Sequence, residues 1–307
     1  MKVIKGYTLT SEELADLFKT QLDERMQDAD KWRGLKFGHP ELDEITGGLR
    51  KGEFVIVAGA QKAGKTTVAL AWAQRFAEQL QPGELVLYVS LEMSHESIAG
   101  RVLANLSEID VSKFRDYSID KYDQPKLDDG LKHLKELPVL WNVGAYNING
   151  IEALIEEYEA RIRVVVVDYF QLMLGENSTS SKRYEQLEDI SLRLKRLTLN
   201  HNLSVVALSQ QSREALKSIE RQKDPNTLAG TQSLARDCDL LLLILPYLDD
   251  SGEEVPYLRK LHIALSRNSI ADVTMDAAFS GTYCRFGAPT NIEINTMPEP
   301  KETWWNK

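Results

Sequence analysis

A glycine-rich run that leads into a lysine and two threonines is the part of the sequence best suited to chemistry. Residues 54–67 are FVIVAGAQKAGKTT, which satisfies the pattern G-x-x-x-x-G-K-[ST] at Gly59, Gly64, Lys65 and Thr66. Glycines let successive backbone N–H groups turn toward phosphate oxygens, and the positive N-terminal end of a following helix adds to the attraction. In such a loop the lysine reaches the β- and γ-phosphates, and the threonine hydroxyl ligates Mg²⁺.

The residues that flank this pattern support a phosphate-binding loop. Upstream, Phe54–Ala58 is an unbroken apolar run, as expected of a strand buried on both faces. Downstream, apolar residues recur at helical spacing and form one core-facing stripe: Ala69, Trp72, Ala73, Phe76, Ala77 and Leu80. The alternative, a glycine turn that binds nothing, is disfavoured by this context. The sequence therefore predicts ATP and Mg²⁺ at Gly59, Ala60, Gln61, Lys62, Ala63, Gly64, Lys65, Thr66 and Thr67.

Composition narrows the class of protein. The 307 residues are 43% hydrophobic and 27% charged, as in a globular protein with one large α/β domain or one domain plus an appendage. The sequence contains neither an 18-residue apolar stretch nor a signal peptide, so we expect no membrane partner and a cytoplasmic location. Cys238 and Cys284 are interpreted as small core residues, with a disulfide as the alternative, and the five scattered histidines argue against zinc. A net charge of −9 argues against a uniformly basic surface but leaves local basic loops open.

Residues 1–34 predict a helix on a polar tether. Thr10 and Glu13 have capping-box spacing, and a charged stretch runs from Asp23 to Arg33. Between them lies an apolar stripe formed by Leu14, Leu17, Phe18, Leu22 and Met26. Such a stripe must be buried, either on its own domain or on a neighbouring subunit, and the pattern alone does not choose between the two.

Residues 35–290 predict an α/β domain. Buried strands alternate with helices, which indicates a mostly parallel central sheet covered on both faces. The predicted strands are Phe54–Ala58, Leu85–Ser90, Val139–Trp141, Val164–Val167, Ser204–Ser209 and Leu240–Leu245. Three shorter runs predict a C-terminal antiparallel meander: Lys260–Leu265, Asp272–Ala278 and Tyr283–Phe286. Residues 291–307 are predicted to form a tail.

Two carboxylates follow buried strands. Asp168 ends the run Val164–Val167, which is the form of a Walker B element whose carboxylate supports Mg²⁺. Glu92 comes just after Leu85–Ser90. Because ligands of open α/β sheets bind at the carboxyl ends of strands, both side chains should face one crevice, where Glu92 would activate the attacking water. The alternative for each residue is a helix-capping carboxylate.

Several runs resemble motifs of the ATPase domain of DnaB-like replicative helicases, in the same order and spacing. They are Phe37–Glu53, Ser90–Met93 (SLEM), Asp168–Met173 (DYFQLM), Leu194–Leu197, Leu208–Arg213 (LSQQSR), Ile263–Asn268 and Phe279–Phe286. The resemblance covers Leu35 to Gly287. It implies a RecA-like P-loop core that assembles into a hexameric ring around single-stranded DNA, with ATP between the subunits.

The resemblance also implies individual roles. Lys65, Thr66 and Asp168 keep the phosphate and metal roles given above, and Glu92 is the catalytic carboxylate. Gln210, at the end of another predicted strand, couples the γ-phosphate to the DNA-facing loop. Arg267 corresponds to an arginine finger supplied in trans, a group worth ~10³-fold or more in rate. From the sequence alone, Arg267 could equally be a surface cation.

The sequence departs from the family at two places. Leu265 replaces the lysine that is usual two positions before the finger, and the DNA-contacting loop is Leu228–Ser233 (LAGTQS) without its usual arginine and acidic residue. A basic stretch between residues 213 and 223 offers substitute phosphate contacts. The predicted DNA contacts are Arg213, Lys217, Arg221, Lys223 and Gly230. A solvated helix face is an equal alternative for that stretch.

The resemblance implies an ATP-dependent replicative DNA helicase that translocates as a ring on single-stranded DNA at a replication fork. A primase or a helicase loader is a further candidate partner. The globular N-terminal domain of bacterial members is missing from the sequence, which suggests a phage protein in the cytoplasm of its host. The alternative is a RecA- or KaiC-like ATPase that assembles with a protein partner without unwinding, which the acidic charge and Leu265 favour. A RadA-type recombination mediator would carry a zinc-binding cysteine cluster, which this sequence lacks.

Overall fold

One nine-stranded sheet organises the chain, in the order β3-β2-β4-β5-β1-β6-β7-β8-β9. The computed structural model describes residues 9–27, 33–144, 147–158, 161–174, 183–229 and 233–289. Its strands are β1 (Phe54–Gly59), β2 (Leu85–Ser90), β3 (Val139–Val143), β4 (Ile162–Asp168), β5 (Ser204–Gln210), β6 (Leu240–Leu248), β7 (Glu254–Ser266), β8 (Val273–Ser280) and β9 (Arg285–Gly287).

Strands β1 to β6 pair in parallel, and β6 to β9 pair antiparallel. Every residue of β1, β2 and β4 is buried, which is typical of parallel strands covered on both faces. The predicted mostly parallel sheet with a C-terminal antiparallel meander is therefore confirmed.

The described residues include ten α-helices. They are α1 (Ser11–Gln27), α2 (Pro40–Thr46), α3 (Lys65–Ala77), α4 (His95–Ser107), α5 (Val111–Arg115), α6 (Gln124–Glu136), α7 (Ile148–Glu157), α8 (Arg183–Asn200), α9 (Ile219–Lys223) and α10 (Ser233–Asp237). Helices α2, α3 and α4 pack on one face, and α7, α8 and α10 pack on the other. Alternate residues of β1 serve the two cores, as the two-residue period of a strand requires. Cys238 and Cys284 are buried free thiols, as predicted.

Some strand boundaries differ from prediction for local reasons. β4 begins at Ile162, two residues earlier than expected, because the charged Arg163 is buried and donates to Ser204 Oγ at 2.8 Å. β7 begins at Glu254 because its first residues extend a hairpin beyond the core, where no burial pattern marks them. β9 begins only at Arg285, since Cys284 lies in a turn with φ of 50°.

Helix α1 forms with the predicted capping box: Thr10 N donates to Glu13 Oε2 at 2.7 Å, and Glu13 N donates to Thr10 Oγ1 at 3.2 Å. Its apolar stripe remains open, from Leu22 at 44% exposed to Met26 at 79%. The described residues therefore do not bury the stripe on the chain's own domain. Within the same residues, no helix combines the length and apolarity needed to cross a membrane.

Candidate nucleotide-binding and catalytic site

The glycine-rich loop joins β1 to α3, as predicted. Gly64 is the residue before α3 and has φ of 101°, in the left-handed region that favours glycine. A Cβ at Gly64 would lie 2.5 Å from the Phe279 ring, so the position excludes other residues on two grounds. The first N–H groups of α3 thus open onto the loop, where they can bind an anion.

Lys65 lies inside the loop that it serves. Its Nζ donates to the carbonyls of Gly59 at 3.1 Å and Ala60 at 2.7 Å. Burial lowers the pKa of Lys65, and the nearby carboxylates Asp168 and Glu92 oppose that shift by favouring the charged amine. The ammonium is therefore held between the loop and two carboxylates, where a phosphate would need it.

Asp168 is the buried carboxylate at the end of β4, with 2% of its surface exposed. The Tyr88 hydroxyl donates to its Oδ2 at 2.9 Å. Burial raises the pKa of Asp168, whereas hydrogen bonds from Tyr88 and Thr66 lower it. The proximity of the Thr66 hydroxyl to this carboxylate fits Mg²⁺, which prefers one or two protein oxygens together with waters and phosphate oxygens.

A cavity of about 470 Å³ opens over the loop. Its lining brings the sequence-predicted residues together: Gln61, Lys62, Gly64, Lys65, Thr66, Thr67, Glu92, Asp168 and Gln210. Strand register explains the convergence, because Ser90 of β2 lies opposite Asp168 and Gly59 lies opposite Gln210. The glycine-rich loop, Glu92, Asp168 and Gln210 therefore all lie at the carboxyl ends of neighbouring strands, β1, β2, β4 and β5.

The capping alternatives for the two carboxylates are wrong. Helix α4 is capped by Ser94, whose hydroxyl accepts from Ser97 N, and Glu92 is left exposed at the cavity. The short 3₁₀ helix Phe170–Leu172 has Tyr169 at its N-cap, without a side-chain capping bond. Neither carboxylate therefore caps a helix.

Arg267 does not line this cavity. It follows β7 at the far end of the sheet, where Ser266 pairs with Leu240, whereas Gly59 pairs with Ile244. Four strand residues, about 13 Å, separate these two positions. Its guanidinium is 56% exposed and donates to the carbonyls of Cys238 at 3.1 Å and Arg236 at 2.6 Å. Arg267 is thus out of reach of its own chain's loop.

The predicted DNA-contacting stretch is not one helix. A 3₁₀ turn at Ala215–Lys217 precedes the short α9. Glu214 pairs with both Lys217, at 2.7 Å, and Arg221, at 3.0 Å. Because exposed ion pairs contribute little, these cations can exchange partners at small cost. Arg213 is exposed and Lys223 half-buried. Gly230 lies outside the described residues.

Sequence reasoning missed several residues of the site. Tyr88 lies within an apolar strand and gave no signal of a polar contact. Arg101 of α4 lines the cavity, but it lies within a helix and belongs to none of the motifs recognised in the sequence. Arg259 Nε lies 3.3 Å from the Ala63 carbonyl and its guanidinium stacks 4.5 Å from the Phe279 ring centroid. The meander strands β7 and β8, which carry Arg259 and Phe279, thus contact the glycine-rich loop.

We expect Tyr88→Phe to lower the free energy of unfolding by about 1–3 kcal/mol, because Asp168 would keep its burial but lose a charge-assisted hydrogen bond. Denaturant unfolding at neutral pH measures this loss. Tyr122→Phe is the matched control, since Tyr122 is 78% exposed and should change stability by less than about 0.5 kcal/mol. Equal losses in the two variants would contradict a stabilising contact at Asp168.

A second, larger cavity of about 700 Å³ lies along the outer side of α3. Five charged residues line it: Arg75, Glu78, Glu108, Lys126 and Arg285. None of residues 59–67 lines it. The chemistry-bearing residues therefore define the smaller cavity as the candidate site.

The chain resembles known replicative helicases. It is 29% identical over 260 residues to a probable replicative DNA helicase of Trieres chinensis, covering 82% of this chain and 57% of the relative. It is 27% identical over 259 residues to the replicative DNA helicase DnaB of Geobacillus stearothermophilus, covering 82% of this chain and 56% of the relative. The chain thus spans a little over half the length of these curated relatives.

Solved structures share the fold. The ATPase domain of G40P superposes with a TM-score of 0.80 at 24% identity, covering 90% of this chain and 98% of that one. A DnaB-like replicative helicase, described with its interactions with primase, gives 0.78 at 24% identity, covering 91% and 71%. The fold is therefore RecA-like. The model of the DnaB-like helicase C-terminal domain matches residues 34–288, and the chain belongs to that family.

Proposed function

We propose that this chain is an ATP-dependent replicative DNA helicase that translocates on single-stranded DNA as a ring and unwinds duplex DNA. The convergence of Lys65, Thr66, Glu92, Asp168 and Gln210 on one cavity carries the proposal. These groups supply what phosphoryl transfer to water needs: a cation for the phosphates, oxygens for a metal, and a carboxylate for the nucleophile. The names of the matched relatives support the same function.

The proposed roles follow from position. Lys65 would exchange its two loop carbonyls for the β- and γ-phosphates. Thr66 and Asp168 would hold Mg²⁺, which would supply neutralisation of the phosphate charge. Glu92 stands exposed across the cavity, where it can orient and deprotonate water. Gln210 lies beside Gly59 in the sheet register and lines the cavity, which supports a role for its amide in sensing the γ-phosphate. Arg101 adds a cation to the same cavity.

We propose that the active assembly is a homo-oligomeric ring, a hexamer by family resemblance. Arg267 lies out of reach of its own loop, which supports the proposal that a neighbouring chain supplies this arginine to the site. The exposed stripe of α1 would be covered by a second copy of this chain, since the described residues of its own chain leave it open. A primase or a helicase loader is a further proposed partner, within a bacterial or phage-infected cell.

The DNA contacts are proposed to come from Arg213, Lys217, Arg221, Lys223 and Gly230. The ion pairs that Lys217 and Arg221 form with Glu214 are exposed, so phosphates can compete for these two cations. The protein-partnered ATPase remains the alternative, favoured by the net charge of −9 and by Leu265, although the matched relatives are named as helicases.

The rate of ATP hydrolysis with and without single-stranded DNA tests this function. We expect several-fold stimulation by single strands, little by blunt duplex of equal length, and ATP-dependent separation of a forked duplex. Stimulation should weaken as salt rises, because phosphate contacts release counterions. Turnover that ignores DNA, with no strand separation, would contradict the helicase and support the protein-partnered ATPase.

A further inference from the structure

The side chain of Gln171 joins two segments that leave the candidate site. Its Oε1 accepts from Gln210 N at 3.2 Å. Its Nε2 donates to Ser209 Oγ at 2.8 Å and to the Ala229 carbonyl at 2.9 Å. Both amide hydrogens and the amide oxygen are thus committed to the end of β5 and to the segment that precedes residues 230–232.

Several contacts hold the backbone of Gln171 in place. Gln171 lies in the 3₁₀ helix Phe170–Leu172, which follows directly from the end of β4 at Asp168. Arg183 Nη2 donates to the carbonyls of Gln171 and Met173, both at 2.7 Å. Phe170 is fully buried beside it. The base of the side chain is therefore fixed to the strand that carries Asp168.

The segments on the other side form a narrow antiparallel pair. Ala229 N donates to the Gln210 carbonyl at 2.8 Å, and Ser212 N donates to the Thr227 carbonyl at 2.8 Å. The neighbouring Gln211 donates through Nε2 to the Gln222 carbonyl at 2.6 Å, which reaches α9. Two backbone bonds therefore hold residues 210–212 beside residues 227–229, and Gln211 extends this contact to α9.

We propose that Gln171 is a positioning residue that couples the nucleotide cavity to residues 227–229 and α9. When Gln210 moves toward a bound γ-phosphate, the hydrogen bonds of the Gln171 amide cause Ala229 to move with it. Glutamine suits this position because it offers one acceptor and two donors at the end of a long side chain. The inference deepens the proposed function and rests on it for the sensing role of Gln210.

Gln171→Glu tests the coupling, because a carboxylate keeps the acceptor for Gln210 N but loses both donors. Amide hydrogen exchange is followed in the full chain with and without a non-hydrolysable ATP analogue. In the unmodified protein we expect the analogue to slow exchange at Gln210 and at Ala229. In the variant, slowing should persist at Gln210 and disappear at Ala229. Stimulation of hydrolysis by single-stranded DNA should fall at least about fivefold, with the KM for ATP unchanged.

Gln79→Glu is the matched control. Gln79 also bridges backbone with both ends of its amide, accepting from Lys36 N at 2.7 Å and donating to the Lys36 carbonyl at 3.0 Å and the Arg75 carbonyl at 2.7 Å. It lies outside the site, so the analogue should still slow exchange at Ala229. Gln171→Leu, which removes all the side-chain bonds, should lose the slowing at both positions and serves if the glutamate variant does not fold.

Three outcomes would overturn the coupling: no analogue-dependent slowing at Ala229 in the unmodified protein, retention of that slowing in Gln171→Glu, or its equal loss in Gln79→Glu. Hydrolysis that ignores DNA in the unmodified protein would contradict the helicase function alone. In that case, if Gln171→Glu alone lost the slowing of amide exchange at Ala229, the link between the nucleotide and segment 227–229 would still be supported. The two failures are thus distinguishable.

Discussion

Lys65→Ala is expected to abolish ATP turnover, with a fall of about 10³-fold or more, because the site loses the cation that neutralises developing phosphate charge. The loss should be local. The Lys65 amine bonds only to the carbonyls of Gly59 and Ala60 among the described residues, and both belong to the loop itself. Steady-state phosphate release by the purified variant measures the effect.

Lys51→Ala is the matched control for this change. Lys51 precedes β1 and forms an exposed pair with Glu84 at 3.4 Å. We expect this variant to keep the turnover and the melting temperature of the unmodified chain. Turnover by Lys65→Ala that persists at a similar level would mean that residues 59–67 do not bind the nucleotide, or that a contaminant supplies the activity.

Arg267→Ala is expected to lower turnover by ~10³-fold while leaving nucleotide binding nearly unchanged, because an arginine finger acts on the transition state. Mixing Arg267→Ala with Lys65→Ala chains should restore part of the activity. Each variant retains what the other lacks, and the sheet places the two groups at opposite ends of the strands. In a random equal mixture, about one interface in four, one half times one half, pairs an intact loop with an intact arginine.

Hydrolysis measured across a series of mixing ratios checks this complementation. Arg236→Ala is a suitable control, since Arg236 is 68% exposed and contacts Arg267 through its backbone carbonyl. We expect Arg236→Ala chains to hydrolyse ATP without being mixed with a second variant. Inactive mixtures in which labelled chains demonstrably share one assembly would refute the supply of Arg267 in trans.

The parts of the fold that could be predicted are those in which burial dictates composition. β1, β2 and β4 are apolar because parallel strands are covered on both faces. The glycine-rich loop was visible because a single backbone geometry requires its spacing. Asp168 and Glu92 could be placed in one crevice because strand ends in a parallel sheet lie at one edge.

Tyr88 and Gln171 show why the rest could not be predicted. β2 is buried along its whole length, so its composition does not reveal which face carries a polar contact. The hydroxyl of Tyr88 finds Asp168 only once β2 and β4 pair. Gln171 bonds to residues 38 and 58 positions away. Such contacts depend on tertiary geometry, which local spacing does not encode.

For a related reason, the sequence alone does not decide whether the basic stretch near α9 binds phosphates or is a solvated helix face. Counting charges between Arg213 and Lys223 suggested a phosphate-binding surface, but the fold lets Glu214 contact both Lys217 and Arg221. Two of the four cations therefore already have a carboxylate partner in the structure. Its use in DNA binding stays a prediction.

The position of Arg267, far from its own loop, has a consequence for symmetry. If one end of the chain offers the arginine and the other end receives it, the contact between copies is heterologous and runs head to tail. An open row of such copies always leaves one loop without an arginine at one end and one arginine without a loop at the other. Only closure of the row by rotation removes both defects. The number of complete sites then equals the number of chains.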